Sequence, residues 1–203
     1  MQKYNYPQGS EEWYHVKKGK VTGTVLKGIM GTPRARQEAI YEIIAERLVT
    51  GVEMDYENPM ERGNRLEPEA VAMFEFETGL KTERVGFCES DANHLIGNSP
   101  DRLIGDTMAL EIKCPLGKNY VKMWLTNEVP DEYQWQVVQY FIVNEKLEKL
   151  YFAAYHPDIP IHPMHIIEVL RSDIEEEITK ALEAQATFLL NVEEEMSKIV
   201  KEI

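Results

Sequence analysis

Cysteine and long apolar stretches are what this sequence has least of. Only two cysteines, Cys88 and Cys114, occur among its 203 residues. Two are too few for a disulfide scaffold or a cysteine-only zinc or iron–sulfur site, so buried reduced thiols are expected. No run of about 18 apolar residues is present, which argues against a transmembrane helix. The first residues also lack the apolar core of a secretion signal, so we expect a cytoplasmic protein.

Positive charge is scarce as well. The chain carries 22 Lys and Arg against 35 Asp and Glu, a net charge of −13. This balance opposes a nucleic-acid-binding surface spread over the whole protein. However, residues 1–36 contain seven Lys or Arg and two Glu, whereas residues 131–203 contain six against fifteen Asp or Glu. The N-terminal segment therefore permits a local phosphate-binding surface on an acidic protein.

The length favours one domain over residues 1–203, because about 200 residues suffice for one well-buried core. Apolar periodicity and capping residues predict helices near 10–19, 22–30, 33–51 and 59–78, strands near 81–88, 94–98 and 108–114, helices near 117–125 and 130–144, strands near 150–156 and 165–170, and a long acidic C-terminal helix at about 172–202. Ser172 is expected to cap that last helix. This order predicts an α/β fold with a central mixed β-sheet flanked by helices.

The strongest chemical signal is Asp101 followed, ten residues later, by Glu111-Ile112-Lys113. Side chains alternate along a strand, so Glu111 and Lys113 share one face while Ile112 and its apolar neighbours take the other. Two carboxylates can hold a hard divalent cation through oxygen, with an ammonium on the same side. Metal-dependent cleavage of a phosphodiester needs this set of groups.

Further features accompany this motif. Glu67 lies on a predicted helix, the lysine is followed by Cys-Pro, a Tyr-x-x-Gln sequence ends at Gln136, and Trp13-x-x-x-Lys17 occurs near the start. Together these features resemble the lambda-exonuclease group, or YqaJ-like viral recombinases, of the PD-(D/E)XK nuclease superfamily. The resemblance covers about residues 10–155. It implies a restriction-endonuclease-like core.

The resemblance also implies a metal site. Asp101 and Glu111 would be the principal ligands of Mg²⁺, with Mn²⁺ as a substitute. The backbone carbonyl of Ile112 would add a further ligand, and Glu67 would complete the acidic cluster directly or through a water. Such an oxygen-rich set suits a cation that prefers octahedral coordination and keeps several waters.

Two further roles follow from the same resemblance. Lys113 would orient the attacking water and help to deprotonate it, and Gln136 would steady that water or the lysine. Lys17, Thr24 and Ser99 occupy the positions of a 5′-phosphate pocket. The family usually has arginine and serine where this chain has Lys17 and Thr24. Lysine keeps the charge but loses the bidentate geometry of a guanidinium.

The activity implied is that of a Mg²⁺-dependent exonuclease degrading one strand of duplex DNA ends 5′→3′ in phage-type recombination. A homotrimeric ring around DNA and a single-strand annealing protein as partner are also implied. Three other interpretations stay open: a PD-(D/E)XK endonuclease or repair nuclease, a catalytically silent nucleic-acid- or protein-binding module, and an acidic structural domain with an accidental Glu-x-Lys. Retention of Asp101, Glu111 and Lys113 together counts against a silent module.

Overall fold

The computed structural model describes residues 1–48 and 61–200. Within them, 3₁₀ turns occur at Asp131–Tyr133 and Arg171–Asp173. The helices are α1 (Glu11–Lys17), α2 (Gly23–Ile29), α3 (Pro33–Leu48), α4 (Glu61–Thr78), α5 (Gly117–Thr126), α6 (Gln134–Val143) and α7 (Glu175–Val200). The strands are β1 (Gln2–Tyr4), β2 (Phe87–Glu89), β3 (Gly97–Asn98), β4 (Arg102–Ile104), β5 (Met108–Lys113), β6 (Lys149–Tyr155) and β7 (Met164–Leu170).

The strands form two sheets. A small antiparallel sheet has the order β1-β2-β3, and a larger sheet has the order β4-β5-β6-β7. In the larger sheet β5 and β6 run parallel, from Met108 opposite Lys149 to Lys113 opposite Ala154. β4 and β7 run antiparallel to their neighbours, so the sheet is mixed. This architecture confirms the predicted α/β fold.

Helices cover both faces of the larger sheet. On one face Ala109 of β5 and Phe152 of β6 belong to the main core, together with apolar residues of α2, α3, α6 and α7. On the other face Leu110 and Ile112 of β5 pack with Phe74 of α4. Successive side chains of β5 therefore point to opposite faces, as the alternation of its sequence predicts.

Helix α6 is fixed to the smaller sheet by Gln139, a side chain with no exposed surface. Its Nε2 donates to the carbonyl of Val21 at 3.0 Å and to that of Gly97 in β3 at 3.2 Å. At the far end of the helix, Arg171 donates to the carbonyl oxygens of Phe141 and Asn144. The predicted site leaves Gln139 out, and the structure gives this residue a framework role.

Most predicted elements are confirmed, with bounds that differ by a few residues. Two short strands, β1 and β4, were not predicted, because three residues are too few to establish an alternating pattern. The strand predicted over residues 81–88 is mostly irregular and is ordered only at a bridge through Glu83 and in β2. The predicted helix ends at residues 49–51, 59–60 and 201–202 lie outside the described residues.

The prediction that Ser172 caps the last helix is wrong. Residues Arg171–Asp173 form a 3₁₀ turn, and α7 begins after it at Glu175. The Ser172 hydroxyl donates to Asp173 Oδ1 at 3.2 Å rather than accepting from the first turn of α7. No helix in the described part of the chain is both long and apolar enough to span a membrane.

Candidate active site

Glu111 lies at the centre of the candidate site and is only 1% exposed. Its Oε1 accepts a hydrogen bond from Gln136 Nε2 at 2.7 Å and lies 2.6 Å from Lys113 Nζ. Its Oε2 accepts from the Tyr140 hydroxyl at 2.5 Å. Gln136 and Tyr140 are four residues apart on α6, a spacing that places both side chains on one face of a helix. One helical turn therefore holds both oxygens of this carboxylate.

Asp101 reaches the same place from the segment between β3 and β4. Its Oδ2 accepts from the backbone N–H of Ile112 at 2.7 Å, and its own N–H donates to the Tyr140 hydroxyl at 3.2 Å. Burial, and next the nearby Glu111, raise the pKa of Asp101 well above its ordinary value, while Lys113 and the Ile112 N–H oppose this. Two carboxylates thus share a poorly hydrated site with one ammonium.

Lys113 completes this cluster from the end of β5. Its Nζ donates to Gln136 Oε1 at 3.2 Å and lies 4.6 Å from the centroid of the Tyr133 ring. Burial lowers the pKa of Lys113, but Glu111 and Asp101 together outweigh this, and the net pKa is raised. The two acids therefore keep Lys113 as an ammonium in this geometry.

Glu67 comes from α4, on the other face of the sheet. Its Oε1 accepts from Arg102 Nη1 at 2.7 Å, so the third predicted acid is held by an ion pair. Among residues 1–48 and 61–200, no three His, Cys, Asp or Glu side chains converge as a ready set of metal ligands. The structure brings Asp101 and Glu111 together and leaves Glu67 beside Arg102.

Lys17 and Ser99 meet at Trp13. The indole Nε1 donates to Ser99 Oγ at 3.1 Å, and Lys17 Nζ lies 4.6 Å from the centroid of the indole ring. Burial lowers the pKa of Lys17, whereas Glu46 and Glu42 act to raise it. Two of the three residues predicted for the phosphate pocket therefore contact one tryptophan, close to acidic side chains on α3.

Thr24, the third residue of that predicted pocket, is exposed in the first turn of α2. The preceding residue, Gly23, packs so closely that a Cβ there would lie 3.2 Å from the Cα of Gln136. Thr24 is thus next to the point where α2 touches the helix that supplies Gln136.

Sequence reasoning missed Tyr140 and Arg102. Tyr140 links the two acidic residues, and Arg102 binds Glu67. The spacing Gln136-x-x-x-Tyr140 was an available signal for the first, because residues four apart share a helix face. Arg102 directly follows Asp101, and no periodicity indicated the short strand that orients its side chain.

The domain of the YqaJ-like viral recombinase family matches residues 12–146, and the chain belongs to this family. The match confirms the family indicated by the sequence motifs. No curated protein sequence matches the chain significantly.

The chain is also similar to proteins of known structure. The alkaline exonuclease LHK-Exo of Laribacter hongkongensis is 28% identical, with a TM-score of 0.85 over 95% of this chain and 97% of that one. A structure of LHK-Exo in complex with dAMP matches equally well. A phage related exonuclease from Haemophilus somnus 129PT is 15% identical, with a TM-score of 0.61 over 90% of this chain and 96% of that one, which shows a shared fold.

Proposed function

We propose that this protein is a metal-dependent deoxyribonuclease that degrades one strand of duplex DNA from its ends in the 5′→3′ direction. The observation that carries the proposal is that Glu111, Lys113 and Gln136 contact one another, while the Tyr140 hydroxyl joins Glu111 to Asp101. The similarity to an alkaline exonuclease supports an exonuclease among the possible nucleases. Polarity rests on the sequence resemblance.

The donor chemistry of the site fits a divalent cation. Asp101 and Glu111 present carboxylate oxygens in a place where burial and mutual repulsion raise the pKa of Asp101. A cation relieves that repulsion, and Mg²⁺ or Mn²⁺ prefers oxygen ligands. Asp101 and Glu111 would hold it, with the Ile112 carbonyl and Glu67 as further oxygen donors. For Glu67 to take part, either its ion pair with Arg102 must open or Glu67 must act on the cation through a water.

The remaining residues act on water and on the phosphate. A bound cation supplies charge neutralisation at the scissile phosphate and acidifies water. Gln136 and Lys113 orient the attacking water from the face of β5 that carries Glu111. When the charge of the carboxylates is balanced, burial remains as the influence that lowers the pKa of Lys113. A larger fraction of Lys113 would then be the free amine, which is the form that can take a proton from the water.

Lys17, Ser99 and Thr24 are proposed to receive the 5′-terminal phosphate. Support comes from the shared contact of Lys17 and Ser99 with Trp13, which fixes an ammonium and a hydroxyl on one rigid ring. A phosphate bound there would compete with Glu42 and Glu46 for the charge of Lys17.

The wider biology is proposed on the family resemblance. It comprises a homotrimeric ring around DNA, a single-strand annealing protein as partner, a role in phage-type recombination, and a cytoplasmic location in a bacterial host. A ring would also explain how a chain with a net charge of −13 stays on DNA, since enclosure replaces bulk attraction. We further propose that residues 1–203 form one domain.

The test uses linear duplex DNA labelled at one 5′ end or at one 3′ end, with closed circular DNA alongside. Wild type is compared with Lys113→Ala and with the control Lys149→Ala. Lys149 is matched because it also pairs with a glutamate on a strand and lies near a tyrosine ring, at the opposite end of the β5–β6 pair. We expect early release of short 5′-labelled products, an intact circle, and about a 10²- to 10⁴-fold slower Lys113→Ala.

The alternatives give different results. Nicking of the circle would identify an endonuclease or repair nuclease. Early release of the 3′ label would reverse the proposed polarity. If wild type cuts nothing with Mg²⁺ or Mn²⁺, the catalytic proposal fails and a binding module takes its place. Chelation by EDTA is expected to abolish cleavage, and readdition of Mg²⁺ to restore it.

A further inference from the structure

Tyr140 has an unusual position between the two acids of the candidate site. Its side chain is 2% exposed, and its hydroxyl accepts from the N–H of Asp101 while donating to Oε2 of Glu111. A phenol can do both, because it has one donor and lone pairs to accept with. A single buried oxygen therefore joins the residue that begins the motif to the residue ten positions later.

The hydroxyl also completes the support of Glu111. Gln136 and Lys113 engage Oε1, and Tyr140 engages Oε2. With donors on both oxygens, the carboxylate plane cannot rotate without breaking a hydrogen bond. An ionised carboxylate has about four lone-pair sites, and these three contacts leave one of them, on Oε2, free for a further partner.

Resting on the proposed function, we propose that Tyr140 is a positioning residue that fixes the carboxylates of Asp101 and Glu111 relative to each other for a divalent cation. It acts through Glu111 and through the backbone of Asp101, and it does not touch the reacting atoms. Hydrogen bonds of this kind orient ligands, and their loss lowers metal affinity or activity about 10- to 100-fold.

The test compares Tyr140→Phe with Tyr155→Phe in the full chain. Tyr155 is a matched control, since it is also 2% exposed and its hydroxyl donates to a carboxylate, Glu69 Oε1, at 2.6 Å. It belongs to β6 and packs on the α4 face, away from Glu111. Both substitutions remove one buried hydroxyl and keep the ring.

The first readout is Mn²⁺ binding to the DNA-free protein by calorimetry, and the second is the Mg²⁺ concentration that gives half-maximal cleavage. We expect Tyr140→Phe to weaken both about 10- to 100-fold, with KM for DNA unchanged at saturating Mg²⁺. Tyr155→Phe should match wild type in both. In a Glu111→Gln background, adding Tyr140→Phe should weaken Mn²⁺ binding by less than it does in wild type.

Other results would overturn the inference. Wild-type Mn²⁺ affinity and Mg²⁺ dependence in Tyr140→Phe would show that the hydroxyl positions nothing. Equal losses in both variants, with equal falls in melting temperature, would show a structural role only. If Mn²⁺ binding weakens as expected but wild type cuts no DNA, the nuclease proposal fails while the role of Tyr140 in cation binding stands.

Discussion

The contact between Gly23 and Gln136 allows the site to be disturbed from outside it. A Cβ added at Gly23 would lie 3.2 Å from the Cα of Gln136 and 3.3 Å from its Cγ, so α6 must give by a few tenths of an ångström. In Gly23→Ala, crowding costs about 1–3 kcal/mol, and the smaller conformational freedom of the unfolded chain returns about 0.4–1 kcal/mol. The free energy of unfolding should therefore fall by about 1 kcal/mol.

The catalytic effect of Gly23→Ala should exceed its effect on stability. The bond from Lys113 to Gln136 is already 3.2 Å long, so a small displacement of Gln136 breaks it. A misplacement of about 1 Å can cost about 10²-fold in rate, and a few tenths should cost several-fold to 10-fold. Cleavage of end-labelled DNA at saturating Mg²⁺ measures the rate, and urea unfolding measures stability.

Gly28→Ala is the control, because a Cβ at Gly28 in the same helix would meet Ala39 Cβ at an ordinary 3.4 Å. We expect it to gain about 0.5–1 kcal/mol of stability at unchanged rate. If Gly23→Ala were as active and as stabilised as Gly28→Ala, close packing of α2 on α6 would not position Gln136, and this reasoning would be refuted.

Three further predictions concern the framework. Burial raises the pKa of Cys88 to about 12, so a disulfide-exchange reagent at pH 8 should label this thiol only after unfolding; labelling of the native protein at Cys88 would contradict this. The free energy of unfolding should also fall as the pH rises above the ordinary thiol pKa of 9.0, because only the unfolded thiol then ionises. Arg171→Ala removes the donor to three carbonyls at and beyond the end of α6 and should lower the free energy of unfolding by about 2–4 kcal/mol in urea, with near-wild-type stability as the contrary result. Phe188→Ala leaves a cavity at a fully buried position on α7 and should lower the free energy of unfolding by about 3–5 kcal/mol, with one unfolding transition in urea. A second unfolding transition that the substitution does not shift would argue against one domain.

Much of the fold followed from local pattern. The alternation of β5 predicted which side chains share a face, and the contact of Glu111 with Lys113 confirms it. The helical period predicted α6, whereas the approach of its Gln136 to the strand was expected from the family resemblance. A single sequence displays the alternation of a strand and the period of a helix directly.

The rest depended on contacts that no periodicity encodes. The partner of Glu67 could not be predicted, since it is set by β4, a strand of three residues. Tyr140 was not singled out, because its ring belongs to the core and only its hydroxyl reaches the site. Ser172 matched a cap by residue type, while the 3₁₀ turn at Arg171–Asp173 took its place.

The hydrogen bond from Ile112 to Asp101 has a consequence for how inactive variants are interpreted. The β4–β5 ladder stops at Arg102 opposite Leu110, and the Asp101 carboxylate accepts the next N–H that points to that side. The Asp101 side chain therefore extends the hydrogen bonding at the end of the β4–β5 pair and also supplies an acid to the site. Replacing Asp101 by alanine leaves the Ile112 N–H without its acceptor. Loss of activity in that variant would therefore combine a structural defect with the loss of a catalytic carboxylate. The Lys113 ammonium contacts only side chains in this cluster, so replacing this residue leaves no backbone group of the sheet without its partner.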